Sequence, residues 1–261
     1  MDTAMSNRND FLKTLAIWLI IPSFLLLPIY QLLIRVNLGL PIECLFMAQV
    51  FVVLFVAPYL TARSICSDVL NTGATSTAAL LTLSAIPSSG WWLLKLLVLS
   101  QVPLLCWVFL STGIALFVMD VPLVKALQMF VILGIYSLSA GAVGMCGAQL
   151  FRDAFFGAEV ATFLWCVLIG GAFLLTPLGR YVNNLQPFIP PVLHLNPIIA
   201  VCCIFGSDIF RNPLLYELTL VPSYDYRYPN PWYLVGIWQI VIGACCFLGT
   251  WQIGRSRKYA I

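Results

Sequence analysis

Charges are missing from long stretches of this chain, and that absence limits its fold more than any motif. Uncharged stretches long enough to cross a bilayer, about 20 residues, begin at Thr14, Cys44, Val69, Leu96, Ala126, Val160, Tyr181 and Tyr228. Only 9% of the 261 residues are charged and 61% are hydrophobic, whereas a soluble domain carries about 25% charged residues. The chain therefore reads as an all-α integral membrane protein, because in hydrocarbon an α-helix satisfies its own backbone. The net charge of +3 is small and spread over tails and loops, which argues against a nucleic-acid partner.

Two of the eight stretches are poor spans. Val69–Leu94 contains Asn71, Gly73, Ser76, Pro87, Ser88 and Ser89. Tyr181–Ser207 contains Asn183, Asn184, Gln186, His194, Asn196 and the prolines Pro187, Pro190, Pro191 and Pro197. Backbone broken in this way is too costly against lipid. Six helices are expected, over roughly 14–34, 43–62, 96–119, 123–150, 159–178 and 231–254. The first is as long as a crossing and lacks a small-x-small cleavage site after it, so it reads as an anchor.

An even count places both ends on one side. That side would hold Arg8, Lys13, Arg63, Lys95, Arg152, Arg255, Arg257 and Lys258. The other would hold Arg35, Lys125, Arg180, Arg211 and Arg227. The excess of basic residues assigns the first side to the cytoplasm of a cell's plasma (inner) membrane. The expected organisation is a single transmembrane domain over 1–261. Its two long connections are a cytoplasmic one at about 62–95 and an external one at about 179–230.

Several chemistries lack their residues. There is no G-x-S-x-G, no H-E-x-x-H and no phosphate-binding G-x-x-x-x-G-K-[ST] loop. The nine cysteines form no C-x-x-C and mostly lie in or beside apolar runs, where cysteine acts as a small hydrophobe. The one histidine, His194, cannot make a metal site alone and reads as structural. Asp120, Lys125, Glu43, Asp153 and Glu159 all fall at expected span ends, so the span interiors carry no charge. Ionisable residues inside spans usually mark ion or proton paths. No catalytic residue, metal or cofactor is expected in this chain, and any driving energy is expected to come from elsewhere.

The stretch "NTGATSTAALLTLSAIPSSGWWLLKLL" from Asn71 is rich in small hydroxyl residues. Gly73 breaks the preceding helix, and Thr75 or Ser76 can cap a new one. On that short helix Thr77, Leu80 and Leu81 share a face. Pro87 ends it, and Trp91, Trp92 and Lys95 mark re-entry into the membrane. The residues alone leave two readings open: a short cytoplasmic helix beneath the bilayer, or a plain interfacial linker.

This arrangement resembles permeases of the ABC type-2 exporter family. Asp68, Gly73, "LLTLSAIPSS" and Lys95 are similar to that family's acidic residue, G-T, leucines, L-x-T-x-P-x-S and lysine between the second and third helices. "HLNPIIAV" at 194–201 is similar to its L-N-P segment before the last helix. The chain departs from the pattern at Asp68, where Glu is usual, at Ala74, where Thr is usual, and at Leu94, where Gly is usual.

The resemblance implies a coupling helix that docks on a separate ATPase subunit, which binds ATP and Mg. The contacts would involve Asp68, Gly73, Thr77, Leu80, Leu81 and Pro87. It also implies a second permease chain, identical or related, and an export function. His194, Asn196 and Pro197 would belong to an external gate segment, read as a re-entrant hairpin. "SNRNDFLKTLAIW" is similar to the family's N-terminal interfacial helix. A rival reading is a non-transporting membrane scaffold or assembly protein that docks another cytoplasmic partner through 62–95.

In the fourth span, Ser137, Gly141 and Gly144 lie near one face with Ala140 and Ala148. Such faces allow close helix approach, either within one chain or between two.

Overall fold

The structure, a computed structural model, describes residues 20–36, 41–71, 90–182 and 184–258. Among these residues the secondary structure is helical, with no strand. The long helices are α2 (Pro41–Asn71), α3 (Gly90–Val118), α4 (Leu123–Phe151), α5 (Ala154–Leu178) and α9 (Tyr233–Lys258). A shorter apolar helix, α1, covers Ile20–Arg35. Between α5 and α9 lie three short α-helices, α6 (Ile189–Leu195), α7 (Ile199–Phe205) and α8 (Pro213–Leu218), and three 3-10 turns at Gln186–Phe188, Ile209–Arg211 and Val221–Ser223.

The five long helices are each apolar enough to cross a membrane, which makes this a multi-pass membrane protein by length and composition. The segment Gln186–Leu195 and α7 together would make a sixth, but they are bent by 84° to each other. The sequence count of six relied instead on a first span over 14–34, of which the structure describes only the part from Ile20.

Helix ends differ from the apolar runs. α2 continues past residue 62 to Asn71, α3 starts at Gly90 rather than 96, and α5 starts at Ala154 rather than 159. Asp68 therefore lies inside α2, and Trp91, Trp92 and Lys95 lie in the first turns of α3. Apolar composition marks what suits lipid, whereas an α-helix keeps its own hydrogen bonds and can run on into water. The connection expected over 62–95 shortens accordingly.

α4 is the centre of the bundle, packed against α2, α3, α5 and α9. Its small residues make this possible. A Cβ on Gly144 would stand 2.5 Å from both the Cα and the carbonyl oxygen of Pro58 in α2. A Cβ on Gly141 would stand 2.7 Å from Thr61 Oγ1. On another face of α4, Gly243 of α9 comes so close to Ser139 that a Cβ would lie 2.9 Å from its Cα. The small residues thus serve contacts within this chain.

α4 and α5 are joined by a two-residue turn. Arg152 adopts the left-handed conformation (φ 58°), and Asp153 caps α5 by accepting a hydrogen bond from Phe156 N at 2.8 Å. An aspartate at this position satisfies one of the amides a helix start leaves unpaired.

Candidate functional site

Buried non-helical backbone lies between α6 and α7, at Asn196 and Pro197. The sequence explains the break. Proline has no N–H, and the residue before it avoids the helical region. Asn196 is accordingly extended (φ −77°, ψ 114°). The elbow is nevertheless inside the protein: Asn196 is 4% exposed, and Ile199, Ala200, Val201 and Cys202 that follow are buried. α6 packs on α5 and α9, while α7 packs on α2, α4 and α9.

Three long helices supply partners for this broken backbone. Tyr136 Oη on α4 donates to the Pro197 carbonyl at 2.9 Å. Gln239 Nε2 on α9 donates to the Leu195 carbonyl at 2.8 Å. Asn196 Nδ2 donates to the Ile169 carbonyl on α5 at 2.9 Å, and its Oδ1 accepts from Ile198 N at 3.0 Å. Ser139 Oγ in turn donates to the Gln239 carbonyl at 2.6 Å, tying α4 to α9 beside the elbow. At the far end of α7, Lys125 Nζ donates to the Phe205 carbonyl at 3.4 Å and stands 5.2 Å from the centre of the Phe205 ring. The other side of α7 is held by Phe46 of α2, stacked on Phe205 at 5.1 Å. Buried polar backbone is costly unless partnered, and here the partners of the elbow come from α4, α5 and α9.

A second buried polar cluster joins α2, α3 and α4. Gln101 Nε2 donates to Thr61 Oγ1 at 2.6 Å and to the Ala57 carbonyl at 3.1 Å. Ser137 Oγ donates to Gln101 Oε1 at 2.8 Å. Thr61 Oγ1 and Ser100 Oγ lie 3.1 Å apart. Gln49 of α2 is the contrast. It is fully buried, yet neither its amide nitrogen nor its oxygen has a hydrogen-bond partner among the described residues.

The segment after α7 folds back beside α6 and the end of α7. Asp208 organises it, with both carboxylate oxygens accepting from Tyr226 Oη (3.0 and 2.8 Å) and Oδ1 also accepting from Tyr228 Oη at 2.6 Å. The Phe210 ring lies parallel to Tyr228 and perpendicular to Tyr226. Burial, with the Cys202 and Asp208 neighbours adding to it, pushes the Tyr228 phenol well above its ordinary value. A cleft of about 500 Å3 separates this segment from α6, bordered by His194, Asp225, Arg227 and Asn230.

Of the residues singled out in the sequence, Asn196 and Pro197 form the elbow, while the half-buried His194 faces the cleft instead. Gly73, Thr77, Leu80, Leu81 and Pro87 lie outside the described residues, as does the proposed coupling helix. Tyr136, Gln239, Gln101 and Thr61 were not anticipated. A scan for charges passes over them, although a glutamine inside an apolar run is itself a signal. Among the described residues, no three His, Cys, Asp or Glu side chains group where they could hold a metal. The donors and acceptors gathered at the elbow are uncharged, and they hold its backbone to α4, α5 and α9. No family model, no curated protein and no solved structure matches the chain.

Proposed function

We propose that this chain is the membrane-spanning permease subunit of an ATP-driven exporter, energised by a separate ATPase. The observation that carries the reading is the buried elbow at Asn196–Pro197. Non-helical backbone at membrane depth is tolerated only where protein covers it or where it lines a path, and broken helices of this kind recur at transporter binding sites. Here Tyr136, Gln239 and Asn196 cover it from three sides. α6 and α7 form a re-entrant hairpin at the outer mouth in this proposal, with both chain ends in the cytoplasm. The uncharged span interiors favour an energy source outside the chain, and the resemblance of the Asp68–Lys95 stretch to ABC type-2 permeases supplies its class. The ATPase would dock on the segment between α2 and α3, and a second permease chain would complete the path.

Purification from native membranes in mild detergent tests this. The expected result is co-isolation of a Walker-motif ATPase at one to one, with nucleotide hydrolysis confined to that subunit. Stable isolation with a different cytoplasmic protein, and no nucleotide-binding partner after cross-linking, would instead establish the scaffold reading.

A further inference from the structure

α3 and α9 both pack on α4, and they lean on it rather than on each other. A groove of about 480 Å3 runs between them, within the range of about 300–1,000 Å3 typical of ligand sites. Leu97 and Val98 form one wall, Ala244 and Phe247 the other, and Ala142 and Gly243 lie on the floor. The one hydroxyl in the lining belongs to Ser139, whose proton is already given to the Gln239 carbonyl. The groove therefore has nothing to offer a polar solute and suits a hydrocarbon chain.

One end of the groove is built differently. There Trp251 of α9 closes onto the start of α3, so that a Cβ on Gly90 would lie 3.8 Å from its ring. Arg255, one turn further along α9, stacks over the same ring at 4.9 Å. On α3 the exposed Lys95 lies one turn from Val98 and next to Leu94 of the groove rim. Lys95 thus stands on the α3 side of the groove and Arg255 on the α9 side, both toward the end where Trp251 meets the start of α3. An apolar slot that ends at two cations and an indole matches one kind of molecule: an apolar chain with an anionic head.

We infer that this groove is a binding site for an anionic glycerophospholipid of the surrounding leaflet. One acyl chain lies between α3 and α9, and the phosphate lies between Lys95 and Arg255. Basic pockets between membrane helices hold acidic headgroups in the same way. The inference rests on the membrane location alone and is independent of the transport proposal.

The test uses the full chain in nanodiscs of phosphatidylcholine mixed with phosphatidylglycerol, with retained lipid counted by native mass spectrometry. The unaltered protein should keep phosphatidylglycerol in preference to phosphatidylcholine. The double variant Lys95→Gln, Arg255→Gln should lose that preference by about fivefold for each cation removed, while still retaining lipid. Ala244→Phe places a ring in the groove from an exposed position and should retain neither lipid. A measurement on the unaltered protein needs no variant to fold: bromine-labelled acyl chains should quench its tryptophan fluorescence more strongly on phosphatidylglycerol than on phosphatidylcholine. Equal retention of both lipids by the unaltered protein, unchanged retention in Ala244→Phe, or a dimer mass without bound lipid would each overturn the assignment.

Discussion

Tyr136 and Pro197 are 61 residues apart in sequence, and the phenol of the first donates to the carbonyl of the second at 2.9 Å inside the bundle. Tyr136 has no measurable exposure, so no water competes for that bond. It fixes the elbow between α6 and α7 to the central helix α4. Tyr136→Phe keeps the ring and removes only the donor. An interhelical hydrogen bond within a membrane bundle is worth roughly 0.6–2 kcal/mol. Tyr136→Phe should therefore unfold in detergent at a modestly lower temperature, with normal helix content. An unchanged melting temperature would show that the elbow holds without this bond.

Glycine positions predict opposite outcomes for one chemical change. Gly144→Ala would drive a methyl into the Pro58 backbone, and overpacking of this kind costs about 1–3 kcal/mol. Gly170 lies in α5 with nothing within 4 Å of where its Cβ would stand. Alanine there should be neutral or should stabilise by up to about 1 kcal/mol through helix propensity. Thermal unfolding of the two variants side by side reads the difference, and equal effects would contradict the α2–α4 packing.

The proposed orientation rests on the distribution of basic residues. Reporter fusions after Lys258 should be active only in the cytoplasm, and fusions within 207–225 only outside. An externally active reporter on the basic tail would reverse the proposed arrangement.

The docking proposal is tested at Leu80 and Leu81. Replacing both with Asp removes apolar contacts worth roughly 1.5–3 kcal/mol each if fully buried, and unpaired buried charge adds to the loss. Since about 1.4 kcal/mol is tenfold in affinity, ATPase retention should fall on the order of a hundredfold or more. Membrane levels of the chain should stay normal. Full retention with full substrate-stimulated turnover would leave the linker reading standing.

Alkaline pH should loosen the segment that Asp208 organises. Tyr228 has a raised folded-state pKa, so its contribution is complete below the ordinary phenol value of about 10 and is lost as pH rises above it. Tyr228→Phe should lower stability at neutral pH and flatten the alkaline decline. A decline of the same steepness in Tyr228→Phe would assign it to other groups.

Much of the architecture was legible before any fold was known. Long apolar runs determine helices because hydrocarbon leaves the backbone no other partner. That local rule identified the bodies of α2, α3, α4, α5 and α9, and the polar residues and prolines of 181–207 marked that stretch as no straight span. Helix ends were not legible at the same level: the run that stops near residue 62 continues as α2 to Asn71, because intrahelical bonds do not require lipid. Tertiary structure alone decided what the small and uncharged polar residues do. Gly144 reads as a small residue in any context; only the approach of Pro58 gives it a partner. Gln101 and Gln49 are the same side chain in equally apolar runs, yet one is fully engaged with Thr61, Ala57 and Ser137 and the other has no hydrogen-bond partner among the described residues. The physical reason is range. Backbone satisfaction acts within one turn of chain, whereas the bonds from Tyr136 to Pro197 and from Asn196 to Ile169 exist only once distant helices have packed.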